Sequence, residues 1–145
     1  MSTLNDANLI VSDVMLSLNV FPVVSETTMF KEVLESMDEH RLGVVCVTTA
    51  NGELAGILTE GDIRRVLLRV QKPLAALMAD DVGAYAIRFP KTTPMEMPLT
   101  DAVSLMGRQR VWDLPVVDHE NKLVGLLHLH QAILGVLATK MGNVN

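Results

Sequence analysis

Apolar positions along the chain follow two alternating rhythms. Met29, Phe30, Val33, Leu34 and Met37 recur at helical spacing behind the candidate N-caps Ser25 and Thr27, which predicts an amphipathic helix. Two unbroken apolar runs follow, Val44–Val47 and Leu54–Leu58, separated by the turn sequence Ala50-Asn51-Gly52-Glu53, and they predict paired strands. With a first strand at Phe21–Val24 and a second helix from about Asp62 to Val70, this stretch reads β-α-β-β-α. The order then recurs. Leu99, Ala102, Val103 and Met106 mark a helix, Leu114–Val117 and Leu123–Leu127 flank a turn through Asp118-His119-Glu120-Asn121, and a last helix is predicted from Gln131.

The recurrence is a true repeat. An ungapped shift of 69 positions places Met106 on Met37, Arg110 on Arg41, Leu123 on Leu54, Gly125 on Gly56 and Leu127 on Leu58. Further upstream, Leu74-Ala75-Ala76-Leu77-Met78 resembles Val11-Ser12-Asp13-Val14-Met15 at a shift of 63, so the second copy carries six extra residues, expected as a loop within Phe89–Pro98. The expected boundaries are 1–73 for an N-terminal helix with the first copy and 74–145 for the second. A single copy leaves one apolar sheet face uncovered. An α/β (α+β) fold of two pseudo-symmetric repeats packed sheet to sheet removes both faces from water.

Composition narrows the function. No stretch approaches the roughly 18 consecutive apolar residues of a membrane span. The start, Met1-Ser2-Thr3-Leu4-Asn5-Asp6, lacks the basic and apolar regions of a secretory signal, so a cytoplasmic location is expected. Cys46 is the one cysteine, and its place between valines suits a strand core. A net charge of −5 and a pI near 5.3 disfavour a grip on nucleic acid backbones. One Trp, one Tyr and three Phe offer little for base stacking.

The segments Asp13-Val14-Met15, Arg41-Leu42-Gly43-Val44 and Gly56-Ile57-Leu58-Thr59-Glu60-Gly61-Asp62-Ile63-Arg64-Arg65, together with the ordered repeat, resemble a tandem CBS-domain pair, or Bateman module. Within that family the chain is most similar to the C-terminal regulatory region of sugar-phosphate isomerases of the arabinose 5-phosphate isomerase type, through Thr59-x-Gly61-Asp62-x-Arg64-Arg65 and His128-Leu129-His130. The isomerase domain itself is absent, so the chain is either a standalone relative or the regulatory piece of a larger enzyme.

The resemblance implies a ligand motif on Gly56, Ile57, Thr59 and Asp62. A strand end feeding a helix start offers unpaired N–H groups to phosphate, Thr59 adds a hydroxyl donor, and Asp62 can accept from both hydroxyls of a ribose. Arg65, beside Arg64, could reach a phosphate or an acidic neighbour, although Arg64, Arg65 and Arg69 also suit a solvated helix face. Thr59-x-x-Asp62 has equally the form of a capping box, and the two roles can coexist at one helix start. The resemblance further implies that the first strand of the other copy, near Ala86, Ile87 and Arg88, shares the site.

The second copy departs from this motif, with His128 where Thr is expected and Gln131 where Asp is expected, so one good site is expected rather than two. His128 could contact a phosphate or a sugar acid. His128 and His130 make a poor metal pair, because the only acidic neighbour foreseen is His119-Glu120, and no metal site is expected. Trp112 is expected in core or interface packing, and the methionines as core filler. There is no nucleophile elbow, P-loop or dinucleotide fingerprint, so no catalytic residue is expected.

The expected function is therefore an allosteric sensor of a nucleotide or nucleotide-sugar, with no obligatory cofactor. Family likeness implies AMP, ADP or ATP, and the isomerase likeness implies a cytidine-activated sugar acid. A homodimer and a regulated enzyme partner are expected, and a ligand-independent dimerisation module is the alternative.

Overall fold

The computed structural model describes residues 8–144, with side chains to residue 139, so the Met1–Asp6 reading lies outside the described residues. In chain order the elements are helix α1 (Val11–Val14), strand β1 (Val23–Ser25), helix α2 (Phe30–His40), strands β2 (Val44–Thr48) and β3 (Leu54–Thr59), and helices α3 (Glu60–Arg69) and α4 (Leu74–Met78). A 3-10 turn at Val82–Ala84, helix α5 (Leu99–Gln109), strands β4 (Asp113–Val117) and β5 (Leu123–His128) and helix α6 (Leu129–Val144) complete it. This is the mixed α/β class with the repeated element order that the apolar rhythm predicts.

Packing divides the chain into two compact units whose borders do not follow the 73/74 sequence boundary. The first unit gathers Leu18–Pro90 with Asn121–Leu123, and the second gathers 8–17, 91–120 and 124–144 of the described residues. Each has its own core. Phe30, Val33, Met37, Val45, Val47, Leu58 and Val82 form that of the first. Val11, Leu99, Ala102, Met106, Leu114, Val116, Leu127 and Ala132 form that of the second.

Backbone pairing explains the borders. In the first unit the sheet order is β1-β2-β3, with β1 parallel and β3 antiparallel to β2. On the far side of β3, Ile57 and Ile87 exchange both backbone bonds, Ile57 N–H to Ile87 O at 3.0 Å and Ile87 N–H to Ile57 O at 2.7 Å. The segment just upstream of the second repeat thereby closes the sheet of the first. The second unit repeats the scheme: Thr93 pairs in parallel with Val116 beside β4, and Leu16 exchanges bonds of 2.8 and 3.0 Å with Leu126 in β5.

These pairs correct the register of the second copy. Thr93 matches Val24 at the shift of 69, since Val24 pairs with Val47 and Thr93 with Val116. Ile87 matches Leu16 at a shift of 71, and that shift already holds upstream, where Asp81 pairs with Met29 as Ile10 pairs with Pro98; Val11–Met15 therefore matches Val82–Ala86 rather than Leu74–Met78, and in place of an insertion within Phe89–Pro98 the second copy is shorter between Ile87 and Thr93. Phe89–Pro98 is a loop all the same.

The helix ends need two further corrections. Ser25 and Thr27 do not cap α2, whose N-cap is Met29. The Ser25 hydroxyl bonds to those of Thr27 and Thr28 inside a turn closed by Thr28 N–H to Ser25 O, which holds Ser25 and Thr27 one turn too early. The final helix begins at Leu129 rather than Gln131. Both α2 and α5 end on a left-handed arginine, Arg41 at φ 54° and Arg110 at φ 55°, the residues that the shift of 69 superposes.

Candidate functional site

In the first unit Thr59, Asp62 and Arg65 lie at the β3–α3 junction, with Ala86 and Ile87 alongside Gly56 and Ile57 of the incoming strand, while Arg88 lies toward the other end of β3, at Ala55. Gly56 makes the arrangement possible. A Cβ there would stand 2.7 Å from the Ile87 carbonyl oxygen and 3.2 Å from the Ala86 Cβ, so only a residue without a side chain lets the 86–87 backbone lie against β3. Ile57 is half-buried and Ile87 is 47% exposed, so an apolar edge borders the helix start.

At that start the capping box is formed in full. Thr59 Oγ1 accepts from the Asp62 N–H at 3.2 Å, while Asp62 Oδ2 accepts from both the Thr59 N–H and the Thr59 hydroxyl, each at 2.9 Å. The box fixes the carboxylate. Its other oxygen, Oδ1, accepts one bond from Arg65 Nη1 at 3.0 Å, and the Asp62 side chain is 15% exposed while that of Arg65 is 50% exposed. Arg65 therefore meets the acidic neighbour that the sequence reading allowed.

Arg88 is committed elsewhere. Its guanidinium donates to Glu26 Oε1 at 2.6 Å, to the Ala55 carbonyl at 3.1 Å and to the Gly83 carbonyl at 2.9 Å, which clamps the 83–88 segment onto β3. Glu26 was invisible to motif reading because it lies 62 residues away in sequence. A second tie is shorter in sequence: Asp80 accepts from Lys72 Nζ at 2.7 Å and from the Tyr85 hydroxyl, and Tyr85 packs edge-on against Phe30 at 5.7 Å. The bond from Lys72, followed by that from Tyr85, holds the Asp80 carboxyl below its usual range.

His128 belongs to the second unit, at the end of β5. Its Nδ1 lies 2.7 Å from Asp113 Oδ1. Burial pushes the Asp113 carboxyl above the usual range, and the bond with His128 opposes that shift. Trp112, next to Asp113, is 71% exposed and so is not core; its carbonyl instead accepts from the Leu129 N–H at the start of α6, as Gly43 accepts from Glu60 at the start of α3. No group of three or more metal-ligating side chains occurs among the described residues. None of their helices is long and apolar enough to cross a membrane.

Two repeats, each a small sheet whose glycine-bearing strand runs into a helix start, define the class. The CBS domain family matches residues 11–69 and 81–136, and the chain belongs to that family as a tandem pair. Among solved structures it is similar to CBSX2 in complex with AMP (26% identical, TM-score 0.79, covering 90% of this chain and 98% of that one). It also shares the fold of the CBS domain pair of MJ0100 in complex with 5'-methylthioadenosine and S-adenosyl-L-methionine (17% identical, TM-score 0.73, covering 95% and 99%). Among curated relatives it is 35% identical over 130 residues to an uncharacterized protein of Helicobacter pylori, covering 88% of this chain and 38% of that one. It is 33% identical over 108 residues to arabinose 5-phosphate isomerase KpsF of Escherichia coli, covering 74% and 32%. The chain thus spans 38% or less of the length of these curated relatives.

Proposed function

We propose that the β3–α3 junction of the first unit binds a nucleotide or nucleotide-sugar and that the module transmits its occupancy to an enzyme, without catalysis of its own. One observation carries this reading: Asp62 is a carboxylate whose Oδ2 is fixed by Thr59, whose Oδ1 accepts a single bond, from Arg65, and which stands at the first turn of a helix. A carboxylate has about four acceptor positions, and the cap uses only two of them. The remaining side of Asp62 suits sugar hydroxyls. The positive end of the helix dipole suits a phosphate, and the Ile57–Ile87 edge suits the flat face of a base. CBSX2 with bound AMP supports an adenine nucleotide as the first ligand to test. The KpsF likeness supports a cytidine-activated sugar acid as the second, and a sugar-phosphate isomerase as the enzyme regulated.

Calorimetric titration of AMP against wild type and Asp62→Asn tests the site. Loss of the charge-assisted hydroxyl bonds should weaken binding roughly 10–150-fold. Equal affinity of the two proteins removes Asp62 from the site.

Exposed apolar side chains favour a second, compatible property. Leu67 and Leu68 of α3 and Ile133, Leu134 and Leu137 of α6 are 43–71% exposed, the last three along one face of their helix. We propose that such helix faces pair in a homodimer. Light scattering should give twice the chain mass, and a monomer at tens of micromolar would overturn it.

A further inference from the structure

Arg65 sits where electrostatics alone would not put it. It belongs to the second turn of α3, yet its guanidinium reaches back over the first: a Cβ on Gly61 would lie 3.3 Å from Arg65 Nη1 and 3.7 Å from Nη2. The N-terminal turn of a helix carries partial positive charge, so a cation is disfavoured there and an anion favoured. What holds Arg65 in place is one bond, Nη1 to Asp62 Oδ1, between side chains spaced i, i+3 with the arginine half exposed. Pairs of this kind are weak and readily exchanged.

Asp62 gives that bond a second meaning. With Oδ2 satisfied by Thr59, only Oδ1 remains for a ligand, and one of its two positions is taken by Arg65. A sugar offering two hydroxyls needs both. We infer that Arg65 is an internal stand-in for the ligand: it occupies Oδ1 of Asp62, and an arriving diol displaces it. The freed guanidinium is then above the helix start, beside the place a phosphate would take, where its charge and the helix dipole act together. The same residue thus opposes a neutral nucleoside, which can displace it but gives it no new partner, and favours a nucleoside phosphate, which does. Arg65 is a specificity residue for the phosphate. The inference rests on the diol site proposed at Asp62.

The test is a set of calorimetric titrations of wild type, Arg65→Gln and the neighbouring Arg64→Gln with AMP, adenosine, CMP and cytidine, with thermal melts of each ligand-free protein as folding controls. Arg65→Gln should weaken whichever monophosphate binds by roughly ten-fold or more, while tightening its nucleoside roughly two- to five-fold. Arg64→Gln should show no such split. Changes of the same sign and size for nucleoside and monophosphate in Arg65→Gln, no change in either, or an equal split in Arg64→Gln would overturn the role of Arg65 while leaving the Asp62 site standing. Absence of any binding to wild type, up to millimolar ligand, would overturn the site and this inference together.

Discussion

Substitution of Gly56 by alanine adds one methyl group at a place where the backbone of another segment already lies. The new Cβ would stand 2.7 Å from the Ile87 carbonyl oxygen, closer than real Cβ contacts come, and the obstacle is backbone rather than a yielding side-chain tip. Relief requires the 86–87 segment to move away from β3. That motion threatens the two bonds between Ile57 and Ile87, at 3.0 and 2.7 Å, and the clamp that Arg88 makes on the Ala55 carbonyl. Overpacking costs about 1–3 kcal/mol, and each backbone bond lost adds about 0.5–1.5 kcal/mol. A total near 2–4 kcal/mol corresponds to a fall in Tm of about 5–15 °C for a chain of this size. Gly107→Ala is the control, because it lies within α5 with nothing within 4 Å of the added methyl, and there alanine should stabilise by about 0.5–1 kcal/mol. Thermal and urea melts followed by circular dichroism measure both. A Gly56→Ala protein melting within 2 °C of wild type would refute the close-approach argument.

Other consequences follow from the same contacts. Gly125→Ala meets the Met15 sulfur at 2.6 Å and the Leu16 carbonyl at 2.9 Å, so it should destabilise comparably to Gly56→Ala in urea melts. Because the bonds from Lys72 and Tyr85 lower the Asp80 pKa, their stabilisation is present above the unfolded value near 3.8 and is lost as pH falls through the lower folded value. Wild type should therefore lose more Tm than Asp80→Asn on acidification below about pH 4, and parallel profiles would contradict this. Arg88→Ala should free the 83–88 segment, seen as faster amide exchange at Ile57 and Ile87 than in wild type.

The sequence made legible whatever is written in local periodicity or in the repeat. The Thr59–Asp62 capping box needed only a four-residue pattern, and the structure forms it in full. The left-handed ends of α2 and α5 are implicit in the superposition of Arg41 on Arg110. What escaped is non-local. The segment 79–98 has few apolar anchors for alignment, so Leu74–Met78 was matched to Val11–Met15 and an insertion inferred, until the Met29–Asp81 and Ile57–Ile87 pairs, set against Ile10–Pro98 and Leu16–Leu126, placed Val82–Ala86 there instead. The Arg88–Glu26 tie joins residues 62 apart with no shared motif. The contact between Asp113 and His128 was within reach: Val44 pairs with Thr59, and a shift of 69 carries that pair onto Asp113 and His128.

That transferred register separates framework from chemistry. Both units keep the glycine that admits a crossing backbone, the strand pair beside it, and the carbonyl of residue 43 or 112 that receives the first N–H of the following helix. These features depend on backbone geometry, and they survive wholesale change of side chains. The polar set does not survive. Where the first unit has Val44 opposite Thr59, with Asp62 one turn on, the second has Asp113 opposite His128, with Gln131 one turn on. Asp113 has moved its charge from the helix turn to the strand, where burial raises its pKa and His128 occupies one of its oxygens. Gln131 leaves its buried Oε1 without a partner, so the second helix start lacks the reciprocal box that fixes Asp62. A diol bound there would meet no oriented carboxylate. One strong nucleotide equivalent per chain should therefore saturate the protein in calorimetry, and two equal equivalents would show that the backbone framework, rather than the Thr59–Asp62 pair, carries recognition.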